Sequence, residues 1–117
     1  NADLQTMTSR MNHLIGKLIT LRPDAHLIVS LIPPVFSPQH AQRVLNFNSI
    51  IYQQVQWYSQ NGFKVSLMDN YHFYLDKQWG FPDNVHPNTI IYNMMGFGWS
   101  QVALSLVNQQ KNLNSFL

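Results

Sequence analysis

Two short apolar segments, at residues 26–32 (HLIVSLI) and 63–68 (FKVSLM), constrain the fold of this chain more than any other feature. The first shows no alternation of polar and apolar side chains, which is typical of a strand buried on both faces of a parallel sheet. Pro33 and Pro34 end the first segment, and Asp69 and Asn70 end the second. We therefore predict two strands of a parallel β-sheet.

Three segments with helical spacing of apolar residues surround these strands. The first ends at Arg22, because the residue before Pro23 avoids helical geometry. The second covers residues 39–61 and ends at Gly62, and the third covers residues 88–107. Their apolar faces are Leu4, Met7, Met11, Leu14, Ile15 and Leu18, then Val44, Phe47, Ile51, Val55 and Tyr58, then Ile91, Met95, Gly98, Val102 and Leu106. The order helix, strand, helix, strand, helix predicts a doubly wound α/β fold with right-handed crossovers.

Two strands are too few for three apolar helix faces. A two-stranded parallel sheet cannot cover them and still protect its own edges. We expect the sheet to continue in residues outside this chain. No repeat or linker divides the sequence, so residues 1–117 are interpreted as the carboxyl-terminal portion of a single domain whose amino-terminal portion is absent.

The composition excludes several classes of protein. Hydrophobic residues make up 45% and charged residues 10%, which predicts a folded chain. Seven Lys and Arg residues are scattered without a basic stripe, so we expect no nucleic-acid partner. The longest apolar run, residues 27–35, is far shorter than the roughly 20 residues of a membrane-spanning helix, so no membrane span is expected. The absence of cysteine excludes thiol catalysis, and the amide-rich surface without Glu favours a secreted or extracytoplasmic protein.

The loop between the second strand and the last helix contains the best candidate for catalysis. Ligands of open α/β sheets bind beyond the carboxyl ends of the strands, where this loop begins. Its residues 83–88 read DNVHPN, which places Asp83 three residues before His86. A histidine that takes a proton from serine presents one ring nitrogen to it while the other donates to a carboxylate. Pro87 keeps His86 out of the helix, and Asn88 can cap the helix that follows.

A second pair, Asp69 and His72, has the same spacing but neither a proline nor a helix start behind it. We favour His86 for that reason, since the spacing alone does not discriminate. A metal site built from Asp69, His72, Asp83 and His86 is a further alternative. The other histidines show no ligand spacing, and we expect neither a metal nor an organic cofactor.

Taken in order, several motifs resemble the SGNH (GDSL) hydrolase superfamily. They are Arg22-Pro23-Asp24-Ala25, Ile32-Pro33-Pro34, Asn46 through Tyr52, Val65 through Asp69, and Asp83 through Asn88. The chain looks closest to the carbohydrate esterase branch, which includes acetylxylan esterases, where a D-G-x-H-P-N stretch opens the last helix. Asn84 stands in place of that glycine and, like glycine, accepts left-handed backbone geometry.

The resemblance implies a three-layer α/β/α sandwich with a parallel, flavodoxin-like sheet, of which this chain holds the last two strands and three helices. It also implies a serine esterase, with His86 and Asp83 as catalytic residues and an acetylated carbohydrate as the expected substrate. The family's serine lies in a G-D-S motif, and no G-D-S occurs here. The expected partner is therefore the amino-terminal half of the domain, as a second chain or a cleaved segment, and the isolated chain is expected to be inactive.

Two questions stay open at the level of sequence. The chain could instead be a non-catalytic half-fold that completes the sheet of a partner chain. The aromatic residues Tyr71, Phe73, Tyr74, Trp79 and Phe81 could line a substrate pocket or cover the core.

Overall fold

The computed structural model describes residues 3–115 and contains three long helices and two short strands. They are α1 (Asp3–Leu21), β1 (Leu27–Ser30), α2 (Pro38–Gln60), β2 (Val65–Met68) and α3 (Thr89–Ser115). Two single 3₁₀ turns, His72–Tyr74 and Gln78–Gly80, lie in the long loop between β2 and α3. The predicted order of elements is confirmed, and both strands are shorter than the apolar segments that predicted them.

The two strands pair in parallel, with Leu27 opposite Val65 and Ser30 opposite Met68. The backbone N–H of Leu31 donates to the carbonyl of Met68 at 2.9 Å, which extends the pairing to the carboxyl ends of both strands. The mixed α/β class and the parallel pair are confirmed. Within residues 3–115 the sheet has only these two strands.

Helices α1 and α2 pack together on one face of the sheet. The core there is formed by Ile15, Leu31, Ile51, Val55, Tyr58, Val65 and Tyr71, with Val44 and Phe47 packed against it. The predicted apolar face of α2 is therefore confirmed. Only part of the predicted face of α1 is covered, because Leu4, Leu14 and Leu18 remain exposed.

A buried amide fixes the exit of β1 against α2. The side chain of Asn48 accepts a hydrogen bond from the backbone N–H of Ile32 at 2.7 Å and donates to the carbonyl of the same residue at 2.9 Å. Both backbone groups of Ile32 are satisfied in this way beyond the end of the strand. The carboxyl end of β1 thus has a fixed direction toward the loops that follow.

The long loop packs under the first half of α3. Tyr74, Phe81, Ile91 and Met95 form a second buried cluster there. A Cβ atom added at Gly98 would lie 3.1 Å from Cε of Met68, so α3 approaches the end of β2 closely at this glycine. This packing holds the start of α3 near the carboxyl end of β2.

Helix α3 continues to Ser115, beyond the predicted end at residue 107. Its residues Thr89–Leu113 are long and apolar enough to cross a membrane by length and composition alone, and they are the one such segment among the described residues. This segment was not singled out in the sequence, where residues 27–35 form the longest uninterrupted apolar run. Ile91 and Met95 lie in a packed protein cluster, but only 11% of the most apolar 18-residue window of this segment is buried.

Candidate active site

Two aspartate–histidine turns occupy the loop between β2 and α3. Asp69 follows the last residue of β2 directly, and Asp83 lies six residues before the first residue of α3. Both turns have the spacing D-x-x-H. The structure therefore allows a direct comparison of the two candidates.

Asp83 binds His86 through both of its carboxylate oxygens. Oδ1 accepts the backbone N–H of Val85 at 2.9 Å and that of His86 at 2.6 Å. Oδ2 lies 2.6 Å from Nδ1 of the His86 ring. An aspartate that accepts both backbone N–H groups forms a tight local turn, and the same carboxylate then orients the imidazole.

Asp69 and His72 have the same arrangement. Oδ1 of Asp69 accepts the backbone N–H groups of Tyr71 at 2.9 Å and His72 at 2.8 Å, and Oδ2 lies 2.7 Å from Nδ1 of His72. Each pair can hold a histidine in the tautomer that leaves Nε2 as a proton acceptor. The hydrogen-bond geometry alone does not show whether His86 or His72 is the better candidate for a catalytic base.

Both carboxylates are held in the ionised form. The backbone N–H of His86, its side chain and the backbone N–H of Val85 hold the pKa of Asp83 far below its ordinary range. Burial raises the pKa of Asp69, but the hydrogen bonds from His72 and Tyr71 outweigh it, so the net shift is again downward. Each aspartate is therefore a stable negative charge beside its histidine.

The surroundings of the Asp83–His86 turn are more constrained. Asn84 has a φ of 66°, so the predicted left-handed geometry at this position is confirmed. Its carbonyl accepts the backbone N–H of Phe36 at 2.7 Å, which ties the turn to the segment that leaves β1. Asn88 caps α3 as predicted, because its Oδ1 accepts the backbone N–H of Ile91 at 3.0 Å.

The ring of His86 is accessible, with its side chain 74% exposed, and that of His72 is similarly accessible at 67%. Within the part of the chain that the structure describes, no serine is hydrogen-bonded to either ring. The Nε2 atom of each histidine is thus open to a group from outside these residues.

An apolar groove lies beside Asp69 of the other pair. It has a volume of about 670 Å³ and lies between the carboxyl end of β2 and the first half of α3. Asp69 and Asn70 form part of its wall, whereas His72, Asp83 and His86 do not line it. Most of the lining is apolar, including Phe73, Ile90, Met94 and Phe97.

The four-residue metal site is not formed. The four side chains make two separate pairs, and no three His or Asp residues come together as a metal-binding group among the described residues. Two carboxylate–histidine pairs without a common centre do not provide the ligand set that a structural metal needs.

One serine–histidine contact was not anticipated from the sequence. Nε2 of His26 lies 2.7 Å from Oγ of Ser66, near the amino ends of the two strands. Burial, and then the charge of Lys64, lowers the pKa of His26. No carboxylate is hydrogen-bonded to His26 in the described part of the chain, so the third member of a triad is missing there. The only sequence signal for this contact is the period-two alternation of side chains along a strand, which places residues 26 and 28 on the same face of the sheet.

No protein-family model, curated protein or solved structure matches this chain.

Proposed function

We propose that this chain supplies the acid–base half of a serine esterase that removes acetyl groups from a carbohydrate. The observation that carries the proposal is the Asp83–His86 turn, with Oδ2 to Nδ1 at 2.6 Å and an exposed ring. The resemblance to SGNH hydrolases supports the reaction class, and in this proposal the chain is the carboxyl-terminal portion of a three-layer α/β/α domain. The nucleophilic serine then belongs to a segment outside these 117 residues.

The proposed reaction uses His86 twice. The serine Oγ attacks the ester carbonyl while Nε2 of His86 takes the serine proton, and the same nitrogen then gives that proton to the departing alcohol oxygen. Water attacks the acyl-serine by the reverse proton route and releases acetate. Asp83 stays ionised throughout, so it fixes the ring tautomer and stabilises the imidazolium.

The turn is well suited to this role because it is anchored on both sides. Phe36 binds the carbonyl of Asn84, and Asn88 both caps α3 and donates its backbone N–H to the carbonyl of Gly80 at 2.7 Å. A catalytic base held by such contacts needs little reorganisation when substrate binds. In the Asp69–His72 turn, the segment after the histidine is a single 3₁₀ turn instead.

The Asp69–His72 pair is a second candidate for the same role, and the groove beside Asp69 favours it. The test is to combine the chain with the serine-bearing segment and to compare His86→Ala with His72→Ala in the hydrolysis of 4-nitrophenyl acetate. We expect His86→Ala to lower kcat by about a million-fold, the loss that follows removal of a triad histidine, and His72→Ala to change it by less than about threefold.

The reverse result would assign the reaction to His72, and full activity in both variants would reject the esterase proposal. His13→Ala is a suitable control, because His13 is an exposed residue of α1. Each variant must keep the unfolding midpoint of the parent, so that a loss of rate reports on chemistry.

A non-catalytic role is the alternative from a different class. The two-stranded sheet, with both outer edges unpaired among the described residues, favours a chain that completes the sheet of a partner. Reconstituted protein that assembles as a stable complex but hydrolyses no ester would support this alternative.

A further inference from the structure

The five aromatic residues of the long loop separate into two groups. Tyr71, Tyr74 and Phe81 are buried and belong to the two core clusters, whereas Phe73 and Trp79 are exposed. Core packing therefore explains three of the five. Core packing does not account for the exposed pair.

Phe73 has a partner within the loop. The ammonium group of Lys77 lies 4.1 Å from the centre of its ring and also donates to its carbonyl at 2.7 Å. This cation–π contact fixes Lys77 against Phe73. Trp79 is 60% exposed. Among the described residues, its indole makes no ring–ring or cation–π contact.

The backbone around Trp79 is held firmly even though its side chain is free. The side chain of Gln78 donates to Oδ1 of Asn84 at 3.2 Å, and the carbonyl of Gly80 accepts the N–H of Asn88 at 2.7 Å. Gly80 is buried against Ile91, so closely that an added Cβ would overlap that side chain. The residues on either side of Trp79 are thus fixed to Asn84 and Asn88, which flank His86.

We infer that the indole of Trp79 is the platform on which a neutral sugar ring of the substrate stacks while its ester lies at His86. This inference rests on the proposed function and names the group that recognises its substrate. A pyranose has an apolar face that suits an aromatic ring, and its hydroxyl groups suit the amides of Gln78 and Asn84. The exposed carboxylates of Asp76 and Asp83 on the same loop disfavour an acidic sugar. A platform that is already fixed lowers the entropic cost of binding.

The test measures binding without turnover, using the chain combined with the proposed serine-bearing segment and xylohexaose, a neutral oligosaccharide that has no ester. Calorimetry should show binding to the wild type, with Kd raised about tenfold in Trp79→Ala, as expected for the loss of one aromatic stacking contact. Trp79→Phe should stay within about threefold of the wild type. Trp57→Ala is the matched control, because Trp57 is 55% exposed on α2, and its Kd should not change.

Absence of xylohexaose binding by the wild type, or equal binding by Trp79→Ala, would overturn the inference. So would a Trp57→Ala variant that loses as much affinity as Trp79→Ala. Because the probe contains no ester, the outcome does not depend on whether the protein hydrolyses 4-nitrophenyl acetate. In kinetic assays Trp79→Ala should raise KM for acetylated xylan, whereas Trp57→Ala should leave both KM and kcat unchanged.

Discussion

At the scale of single residues, Asn84 carries the conformational strain of the candidate site. Its φ of 66° is open to glycine without cost, whereas an alanine there would be strained by about 1 kcal/mol. Asn84→Gly and Asn84→Ala both remove the hydrogen bond from Gln78, so their difference isolates the strain. We expect Asn84→Ala to be less stable than Asn84→Gly by about 1 kcal/mol in urea unfolding. An alanine variant at least as stable as the glycine variant would contradict a left-handed Asn84.

Asp83 gives the site a pH dependence of known sign. Its folded pKa lies below the ordinary value of about 3.9, so its contribution to stability is present above that value and is lost as the pH falls through the folded pKa. The stability advantage of the wild type over Asp83→Asn should therefore shrink as the pH is lowered from 5 toward 2. Urea unfolding of both proteins at each pH measures it. An advantage that grows with acidification would show that the hydrogen bonds to Asp83 do not stabilise its ionised form.

The comparison of Asp83 with Asp69 shows what sequence can establish about a site. The spacing D-x-x-H is enough to predict the hydrogen bond between carboxylate and ring. One carboxylate oxygen accepts two backbone N–H groups from the next three residues, and the turn formed in this way brings the histidine ring to the other oxygen. It cannot say which pair faces a substrate, since that depends on residues distant in sequence. The hydrogen bond from the backbone N–H of Phe36 to the carbonyl of Asn84 depends on residues distant in sequence, and so does the groove beside Asp69.

At the scale of elements, two glycines near α3 have opposite roles. A Cβ at Gly80 would overlap the side chain of Ile91, a fully buried residue of α3, whereas a Cβ at Gly96 would meet nothing within 4 Å. We expect Gly80→Ala to destabilise the protein by about 1–3 kcal/mol through overpacking. Gly96→Ala should stabilise it by up to about 1 kcal/mol, because alanine is the better helix former. Thermal or urea unfolding measures both, and a neutral Gly80→Ala would show that the loop does not pack on α3 as described.

The bounds of the helices are easier to predict from the sequence than the faces that the helices bury. Helical spacing located α2 to within one residue at each end, because the proline at its start and the glycine after it are local signals. The predicted end of α3 at residue 107 is too early. No glycine or proline follows that residue, and the amide-rich sequence continues as a helix to Ser115. Exposure of Leu14 and Leu18 could not be read from spacing, because it depends on which neighbour covers α1.

At the scale of the whole molecule, the apolar surface is too large for the core that the chain forms. Large hydrophobic side chains remain exposed on α1, α2 and α3, including Leu14, Trp57, Phe97 and Leu113. The edges of the two-stranded sheet are also unpaired among residues 3–115. Exposed apolar patches and open strand edges are features that proteins cover with a partner or another segment.

We therefore expect the 117-residue chain, produced by itself, to associate with itself and to bind an apolar dye such as ANS. Light scattering coupled to size exclusion should give a mass that rises with concentration, and addition of the proposed serine-bearing segment should convert it to a defined complex with less dye binding. The physical reason is that the added strands would cover the edge of the sheet and the free faces of α1 and α3 together. A concentration-independent monomer that binds no dye would mean that these 117 residues are sufficient for a closed fold, and the proposal of a missing half would then be wrong.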